Sequence, residues 1–240
     1  MQVSADSRSR IEFADPRNSA LSAVAVGGEL IVDNLVVAYQ KGIFPFMMGD
    51  PPTLVWLCPK DRAVLEFDRL HLPRSLRTLA SRRPYALTID RDFAGVVDGC
   101  ARASRPGGRP TWITDDLAEG YRRLHAAGRA HSVEAWDGGE LVGGVLGVDC
   151  GGVFAAESMF YRRPDASKLA FLHLVDHLAA GGARWVDLQQ TSPLFDRLGA
   201  RVMARERYLD LLEQEQARRL VLFDRPEGSS PLSAQAMKGV

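Results

Sequence analysis

The segment HSVEAWDGGELVGGVLGVDCGGVFAAESMFYR, residues 131–162, contains three apolar runs separated by two short turn sequences. The turns are DGG at 137–139 and CGG at 150–152, and glycine pairs between apolar runs are typical of β-hairpins. A helix pattern follows at 165–182, and a short strand pattern, RWVDLQQ, follows at 184–190. The second half of the chain therefore predicts the order β-β-β-α-β, which is an α/β arrangement with a mixed sheet flanked by helices.

The first half of the chain adds further strand and helix patterns around this centre. The helix at 111–128 has Thr114 in the N-cap position, two aspartates in its first turn and Gly128 as its end signal. A last helix is expected near 206–220. The other predicted elements are helices at 31–42, 72–83 and 92–101 and strands at 62–67 and 85–90.

The distribution of proline and glycine indicates how the chain is divided. Four prolines exclude a long helix from residues 43–59, so this segment should wrap and pack instead. We expect a small N-terminal lobe at 1–60 and a larger domain at 61–223. Residues 224–240 are rich in Pro, Gly and Ser and are expected to form a disordered tail.

The overall composition excludes several classes of protein. Thirty basic residues balance thirty acidic ones, so a nucleic-acid partner would need a local basic surface. The three cysteines are far apart, which argues against a disulfide scaffold or a zinc knuckle. The first sixteen residues have no apolar signal region, and no run approaches eighteen apolar residues. These features predict a cytoplasmic protein without a membrane span.

Two carboxylates stand inside apolar strand patterns. Asp187 lies in RWVDLQQ, and Glu157 lies in VFAAESMF at 153–160. A buried carboxylate without a partner is costly, so each should be paired or face a cleft. For Glu157 the alternatives are an ion pair with an arginine such as Arg162 or Arg163, or a place on a cleft wall near Asp187. Two carboxylates beside an apolar pocket would attract a cation.

Strand alternation suggests which side chains share a face. Successive side chains of a strand point to opposite faces, so Glu157 is expected on the face of Ala155 and Met159. By the same rule Asp187 and Gln189 share one face of the next strand.

Other motifs are weaker. No phosphate loop, G-x-S-x-G elbow or H-E-x-x-H motif is present. His173 and His177 have a spacing that permits zinc ligation, but no third ligand is evident, and a half-exposed helix face is favoured over a metal site. Residues 60–85 hold seven basic and three acidic side chains, a local excess that suits phosphate binding but is also usual on a solvated helix.

These pieces together resemble the leucyl/phenylalanyl-tRNA–protein transferase family. The resemblance runs from about Val24 to Tyr208, over most of the chain, and its combination of motifs is highly specific. The fold that it implies is a small N-terminal domain followed by a GNAT-like domain. The stretches that carry the resemblance, in family order, are AYQKGIFPF, DRAVL, TWIT, HSVEAW, LVGGVLGV, ESMF, ASK, VDLQ and LGA.

The resemblance implies a cytoplasmic enzyme of the N-degron pathway. It would transfer Leu or Phe from aminoacyl-tRNA to the α-amine of proteins that begin with Arg or Lys, as a monomer and without a metal or organic cofactor. Asp187 and Gln189 match the catalytic D-x-Q motif. The tRNA surface would include Arg74, Arg77, Arg82 and Arg83. The implied substrate-binding residues are Phe46, Trp112, Tyr121, Val145, Phe154, Glu157, Met159, Leu174 and Val186.

The implied roles differ among these residues. Glu157 would read the cationic end of the acceptor, Trp112 and Tyr121 would flank the aminoacyl-adenosine, and the aliphatic residues with Phe154 would hold the Leu or Phe side chain. Some positions depart from the family pattern. Phe46, Ser192 and Leu194 stand where the family usually has Trp, Asn and His, and Val145 is smaller than the expected Met.

Two alternative functions stay open. One is a relative that binds tRNA or an N-degron without catalysis, because the usual Asn and His are replaced. The other is a GNAT-type acyltransferase that uses acyl-CoA. The loop RRPDASK at 162–168 disfavours the second, since it lacks the paired glycines that would expose backbone amides to a pyrophosphate.

Overall fold

A mixed seven-stranded sheet forms the centre of the protein, in a computed structural model that describes residues 10–103 and 111–223. The expected tail at 224–240 lies outside the described residues. The α-helices are α1 (Val32–Gln40), α2 (Arg74–Arg82), α3 (Phe93–Arg102), α4 (Asp115–Ala126), α5 (Ala166–Ala180), α6 (Pro193–Arg197) and α7 (Arg205–Gln216). The strands are β1 (Ala23–Val26), β2 (Phe44–Met48), β3 (Thr53–Leu57), β4 (Asp61–Glu66), β5 (Ala86–Ile89), β6 (Ala130–Asp137), β7 (Glu140–Asp149), β8 (Phe154–Tyr161), β9 (Trp185–Gln189) and β10 (Arg201–Ala204).

The large sheet has the spatial order β10-β4-β9-β8-β7-β6-β5. Every neighbouring pair is antiparallel except β8 and β9, which are joined through α5 and run parallel. A parallel pair needs such a crossover connection. The predicted α/β class, with a mixed sheet flanked by helices, is confirmed.

Both faces of the large sheet are covered. Leu35, Val96, Leu117 and Leu209 bring α1, α3, α4 and α7 into one apolar cluster. On the other face, α2 and α5 contribute to a second cluster that includes Leu174. Strand β7 is buried along nearly its whole length, as expected for a strand covered on both faces.

A small three-stranded antiparallel sheet, in the order β1-β3-β2, lies within residues 23–57. The proline-rich segment 43–59 was expected only to wrap and pack, but it forms the hairpin of β2 and β3. Residues 44–48 and 53–57 are the two strands, and the turn lies between them. Trp56 and Phe44 from this sheet join the apolar cluster of α1 and α4. The division of the chain at residue 60 stays a prediction, since the two sheets share a core.

Most predicted elements form close to their expected bounds. Thr114 caps α4 as predicted, with its hydroxyl accepting from the Leu117 amide at 3.4 Å. Besides the β2–β3 hairpin, sequence patterns missed β1, β10 and the short helix α6. No helix within residues 10–103 and 111–223 combines the length and apolar character that a membrane span needs.

The close approach of α5 to β7 gives a direct test of this packing. A Cβ atom at Gly143 would lie 2.7 Å from Ala166 Cβ and 2.9 Å from the Ser167 amide nitrogen. Gly143→Ala should therefore lower the free energy of unfolding by about 1–3 kcal/mol. Chemical denaturation measures this change.

Gly120→Ala is the matched control. In α4 the nearest atom to an added Cβ is Leu35 Cδ1, at 3.4 Å. The higher helix propensity of Ala should then raise the free energy of unfolding by up to about 1 kcal/mol. Equal changes in the free energy of unfolding at the two glycines would contradict the close contact between α5 and β7 at Gly143.

Candidate active site

A cleft opens where β8 and β9 part. The two parallel strands share a single bridged pair, Ala155 with Asp187, and then diverge. A cavity of about 1180 Å³ lies beyond this pair. Its wall includes Ala156–Met159 from β8, Leu188 from β9, the loop before α5, and residues 192–195 at α6.

Both β8 and β9 carry a β-bulge: that of β8 lies in its pairing with β7, and that of β9 lies in its pairing with β4. On β8, Leu146 pairs with Ser158 and Gly147 pairs with Ala156, so Glu157 is the extra residue. On β9, a similar shift in the pairing with β4 leaves Leu188 as the extra residue. Bulges bend the strand that carries them and redirect a side chain. Together they account for the divergence and place both residues at the cleft.

The bulge at Glu157 corrects the predicted alternation. Met159 was expected on the same face as Ala155, but it packs against the α5 side with Phe154, whereas Ala155 lies in the opposite cluster. The extra residue shifts the alternation by one position. On β9 the predicted common face of Asp187 and Gln189 is confirmed, because Val186 and Leu188 both pack on the α5 side.

Glu157 is held by hydrogen bonds rather than by an ion pair. Its Oε1 accepts from Gln189 Nε2, and its Oε2 accepts from the Tyr121 hydroxyl at 3.0 Å. The Tyr39 hydroxyl lies 3.3 Å from that of Tyr121. The alternative of an ion pair with Arg162 or Arg163 is wrong: Arg162 donates to a backbone carbonyl, and Arg163 lies near surface acids of the β6–β7 turn.

Burial changes the protonation of this group. It raises the pKa of Glu157 from 4.5 to about 7, because the charged form loses water. The Tyr121 and Tyr39 hydroxyls and the charge of Arg62 oppose this increase, and the charge of Asp187 adds to it. Glu157 can therefore change its protonation state near neutral pH.

Asp187 does not face the cleft, so the expectation of a cleft carboxylate is wrong. Its side chain is completely buried and forms a two-pronged ion pair with Arg62, with distances of 2.9 Å from Nε to Oδ1 and 2.6 Å from Nη2 to Oδ2. The Tyr208 hydroxyl donates to Oδ2 at 2.8 Å. The Gln189 backbone amide donates to Oδ1 at 2.8 Å. Of the two alternatives for Asp187, a paired carboxylate or one that faces a cleft, the paired carboxylate is confirmed.

Arg62 is as buried as its partner. Its guanidinium carbon lies 4.5 Å from the centre of the Tyr208 ring and 5.0 Å from that of Phe44, and Nη1 donates to the Gly42 carbonyl at 3.2 Å. Arg62 therefore belongs to the core and not to the basic surface of residues 60–85. Sequence reasoning missed it as the partner of Asp187. The available signal was the place of Arg62 directly before the apolar run Ala63–Leu65 of β4.

Gln189 has an unusual backbone conformation. Its φ angle is 59°, in the left-handed region that few residues other than glycine adopt. The hydrogen bond from its amide to Asp187 holds this conformation. The side chain then reaches Glu157 on the neighbouring strand. A buried ion pair thus positions the amide group that contacts the cleft carboxylate.

Aromatic side chains extend from the cleft to the small sheet. Trp112 lines the cleft, and its ring stacks on Phe46 with 5.7 Å between centroids. Tyr121 meets Trp112 edge-on at 6.5 Å and is itself buried. Phe46, Trp112 and Tyr121, which the sequence singled out together, do form one group.

The residues expected to form an apolar pocket divide into two sets. Met159 lines the cleft. The other four lie fully buried in the cluster against α5, behind the cleft wall: Val145, Phe154, Leu174 and Val186. The structure places them next to the cleft without exposing them to it.

The predicted tRNA residues lie on and next to α2. Arg74 and Arg82 line a second cavity of about 730 Å³, together with Arg197 and Lys168. This cavity adjoins the cleft, since Asp165, Lys168 and Leu194 line both. Arg83 is exposed at the end of α2, whereas Arg77 is half-buried and donates to the Leu72 carbonyl.

One group of possible metal ligands lies away from the cleft, among the described residues. Asp90 after β5, His125 of α4 and His131 of β6 bring ligand atoms within 4.8 Å of one another. Hydrogen bonds already engage these atoms, from His131 Nδ1 to Asp90 at 2.6 Å and from His125 Nδ1 to the Ala130 carbonyl at 2.8 Å. His177, considered above with His173, has its Nε2 at 2.8 Å from the Leu222 carbonyl.

Comparisons with known proteins agree on one family. The family model described as leucyl/phenylalanyl-tRNA protein transferase matches residues 64–213. A relative of that name from Oleidesulfovibrio alaskensis is 44% identical over 233 residues, covering 93% of each chain. Another, from Nitratidesulfovibrio vulgaris, is 45% identical over 190 residues, covering 79% of this chain and 80% of the relative. The solved structure of L-PGS from Bacillus licheniformis has a TM-score of 0.40 at 11% identity over 65% of this chain and 49% of that chain, too distant to support an argument.

The buried ion pair predicts a large effect on stability. Arg62→Met leaves Asp187 buried without its partner, so the free energy of unfolding should fall by about 3–5 kcal/mol. Urea denaturation at neutral pH measures the loss.

Arg201→Met on the neighbouring strand β10 is the control. Arg201 pairs with Glu66 at 2.7 Å, but the two side chains are 33% and 22% exposed. Loss of this pair should cost about 1 kcal/mol or less. If Arg62→Met costs no more than Arg201→Met, the central role of the Arg62–Asp187 pair is refuted.

Proposed function

The chain belongs to the leucyl/phenylalanyl-tRNA–protein transferase family, and from that membership we propose that it transfers Leu or Phe from aminoacyl-tRNA to proteins that begin with Arg or Lys. The amino acid would be joined to the N-terminal α-amine of the acceptor, creating a degradation signal. The observation that carries this proposal is the match of the family model over residues 64–213, which contain Glu157, Asp187 and Gln189.

The chemistry of this reaction suits a site without a strong nucleophile. The aminoacyl ester is already activated, and an N-terminal amine has a pKa of about 7.7–8.0, so a useful fraction is unprotonated at neutral pH. Correct positioning of two reactants is worth up to roughly 7–11 kcal/mol. A cleft that holds ester and amine together therefore supplies much of what the reaction needs.

On the donor side, the aminoacyl-adenosine would lie against the aromatic group. Trp112 lines the cleft and Phe46 stacks behind it, so the adenine would find a flat apolar partner. The Leu or Phe side chain would enter beside Met159, toward the aliphatic cluster against α5. An apolar pocket separates side chains mainly by shape, so it can accept both Leu and Phe.

On the acceptor side, the cationic N-terminal residue would be attracted by Glu157, a carboxylate of the cleft wall that has no lysine or arginine partner among the described residues. Gln189 would orient the amine or the ester, and Asp187 would hold Gln189 through its backbone amide. Ser192 and Leu194, which replace residues usual in the family, both line the cleft. They are therefore placed to tune the use of substrate.

The tRNA would continue from the cleft across α2. The second cavity, which adjoins the cleft, carries Arg74, Arg82, Arg197 and Lys168, the last of which pairs with Asp165. Phosphates of the acceptor strand would be neutralised here. We place this reaction in the cytoplasm, with the chain acting as a monomer and with no cofactor besides the tRNA.

The reaction itself is tested by transfer of labelled Phe from Phe-tRNA to a peptide that begins with Arg. Transfer is expected to this peptide and not to the same peptide beginning with Ala, because only the first presents a cationic side chain to Glu157. Leu-tRNA provides the second donor.

The absence of transfer from both donors, with folded protein, would refute the proposal. Binding of the Arg peptide without transfer would favour the non-catalytic alternative. Transfer from an acyl-CoA instead would favour the GNAT-type acyltransferase.

The tRNA surface is tested by the double variant Arg74→Ala and Arg82→Ala. It should weaken tRNA binding and lower the slope of log affinity against log salt by about one to two, since two phosphate contacts are lost. The matched control is Arg102→Ala, which removes a 79% exposed arginine of α3. A salt slope that changes equally in both variants would contradict the proposed tRNA path.

A further inference from the structure

The two carboxylates of the site differ in how many of their lone-pair positions accept hydrogen bonds. A carboxylate offers about four lone-pair positions to donors. Asp187 has all four engaged, by Arg62 Nε and Nη2, the Tyr208 hydroxyl and the Gln189 amide. It is also fully buried beside the charge of Arg62. Asp187 therefore has no lone-pair position left for a further donor.

Glu157 has only part of its capacity engaged. Gln189 Nε2 donates to one oxygen and the Tyr121 hydroxyl to the other, and a hydrogen bond from the Tyr39 hydroxyl also lowers its pKa. Among residues 10–103 and 111–223, no lysine or arginine forms a salt bridge with it. Unlike Asp187, it lines the cleft. The bulge on β8 is the reason that it points there.

Resting on the proposed function, in which Asp187 holds Gln189, we infer that Glu157 accepts the proton of the attacking α-ammonium. The contact between Gln189 and Glu157 supports this role, because an amine oriented by the Gln189 amide lies beside the Glu157 carboxylate. The left-handed backbone of Gln189, held by Asp187, keeps the amide in that place.

The proton and the electron pairs balance in this step. Glu157 takes a proton from the α-ammonium, and the nitrogen lone pair then attacks the ester carbonyl carbon. As the C–N bond forms and the C–O bond breaks, the ribose oxygen of the tRNA leaves with the bonding pair. Two protons leave the nitrogen overall, one to solvent and one through Glu157 to the leaving oxygen. The products are an amide and a free ribose hydroxyl.

The surroundings of Glu157 suit this exchange. The groups that face it are Tyr39 of α1, Tyr121 of α4, Arg62 of β4, and Asp187 and Gln189 of β9. Burial leaves its pKa at about 7, close to that of an N-terminal amine. A proton acceptor works best when its pKa lies near the working pH.

The test is the pH dependence of single-turnover transfer at saturating Phe-tRNA and Arg peptide, from about pH 5.5 to about pH 9. Wild type should show a limb that rises through about pH 7 as Glu157 ionises. Glu157→Gln should lower the rate constant about 100-fold or more and remove this limb. The limb that remains should follow the α-amine alone.

Glu134→Gln is the matched control. Glu134 is also buried in the same sheet and is held by the Thr88 and Ser132 hydroxyls, away from the cleft. Burial also raises its pKa. This variant should leave both the rate constant and the pH profile unchanged, which separates loss of a proton acceptor from loss of a buried acid.

Two results would overturn the inference. In one, Glu157→Gln raises KM for the peptide but leaves the saturated rate constant and its pH profile intact, so that Glu157 only recognises the acceptor. In the other, wild type is assayed with a second Arg peptide whose α-amine is less basic, and the whole profile moves with that amine. This second measurement needs no variant to fold. In both cases the transfer activity of wild type, and so the proposed function, would stand.

Discussion

The ion pair between Arg62 and Asp187 connects the parts of the molecule that make the site. Arg62 lies on β4 and Asp187 on β9, so the pair joins neighbouring strands of the large sheet. Tyr208 brings α7 to the same carboxylate, and the Gly42 carbonyl brings the turn after α1 to the same guanidinium. Breaking one member of a buried pair leaves an uncompensated charge, which is why these elements are held together.

The cleft depends on a local conflict in strand pairing. β8 stays paired with β7 and β9 stays paired with β4, but bulges at Glu157 and Leu188 turn the two strands away from each other after one bridged pair. The gap between parallel strands is therefore built into the sheet and needs no separate lid or domain. Because the bulges also direct side chains, the same irregularity makes the cleft and supplies its carboxylate.

The two carboxylates have opposite electrostatic surroundings although they lie on adjacent strands. Asp187 meets a guanidinium and three further donors, so its charge is balanced inside the core. Glu157 meets neutral donors and loses water, so burial raises its pKa to about 7. Asp187 thus holds neighbouring elements in place, whereas Glu157 can exchange a proton near neutral pH. The surroundings of each carboxylate cause this difference, and not the residue type.

The sequence by itself determined the order β-β-β-α-β over residues 131–190, the last helix, and most elements of the first half. These follow from apolar periodicity, capping residues such as Thr114 and glycine turns, all of which act over a few residues. Its motifs also pointed to Glu157, Asp187 and Gln189. Local patterns missed β10, which is short and pairs with the distant strand β4. They also missed the local β2–β3 hairpin, because its prolines argued against regular structure in that segment.

Only the tertiary structure decided which side chains of the site contact one another. The partner of Asp187 lies 125 positions away in the chain, so no local pattern could pair the two residues. The bulge at Glu157 reversed the expected face of Met159, because pairing register depends on both neighbouring strands at once. Which acid is buried in an ion pair and which reaches the cleft is a property of packing, since desolvation and long-range pairing exist only once the sheet has formed.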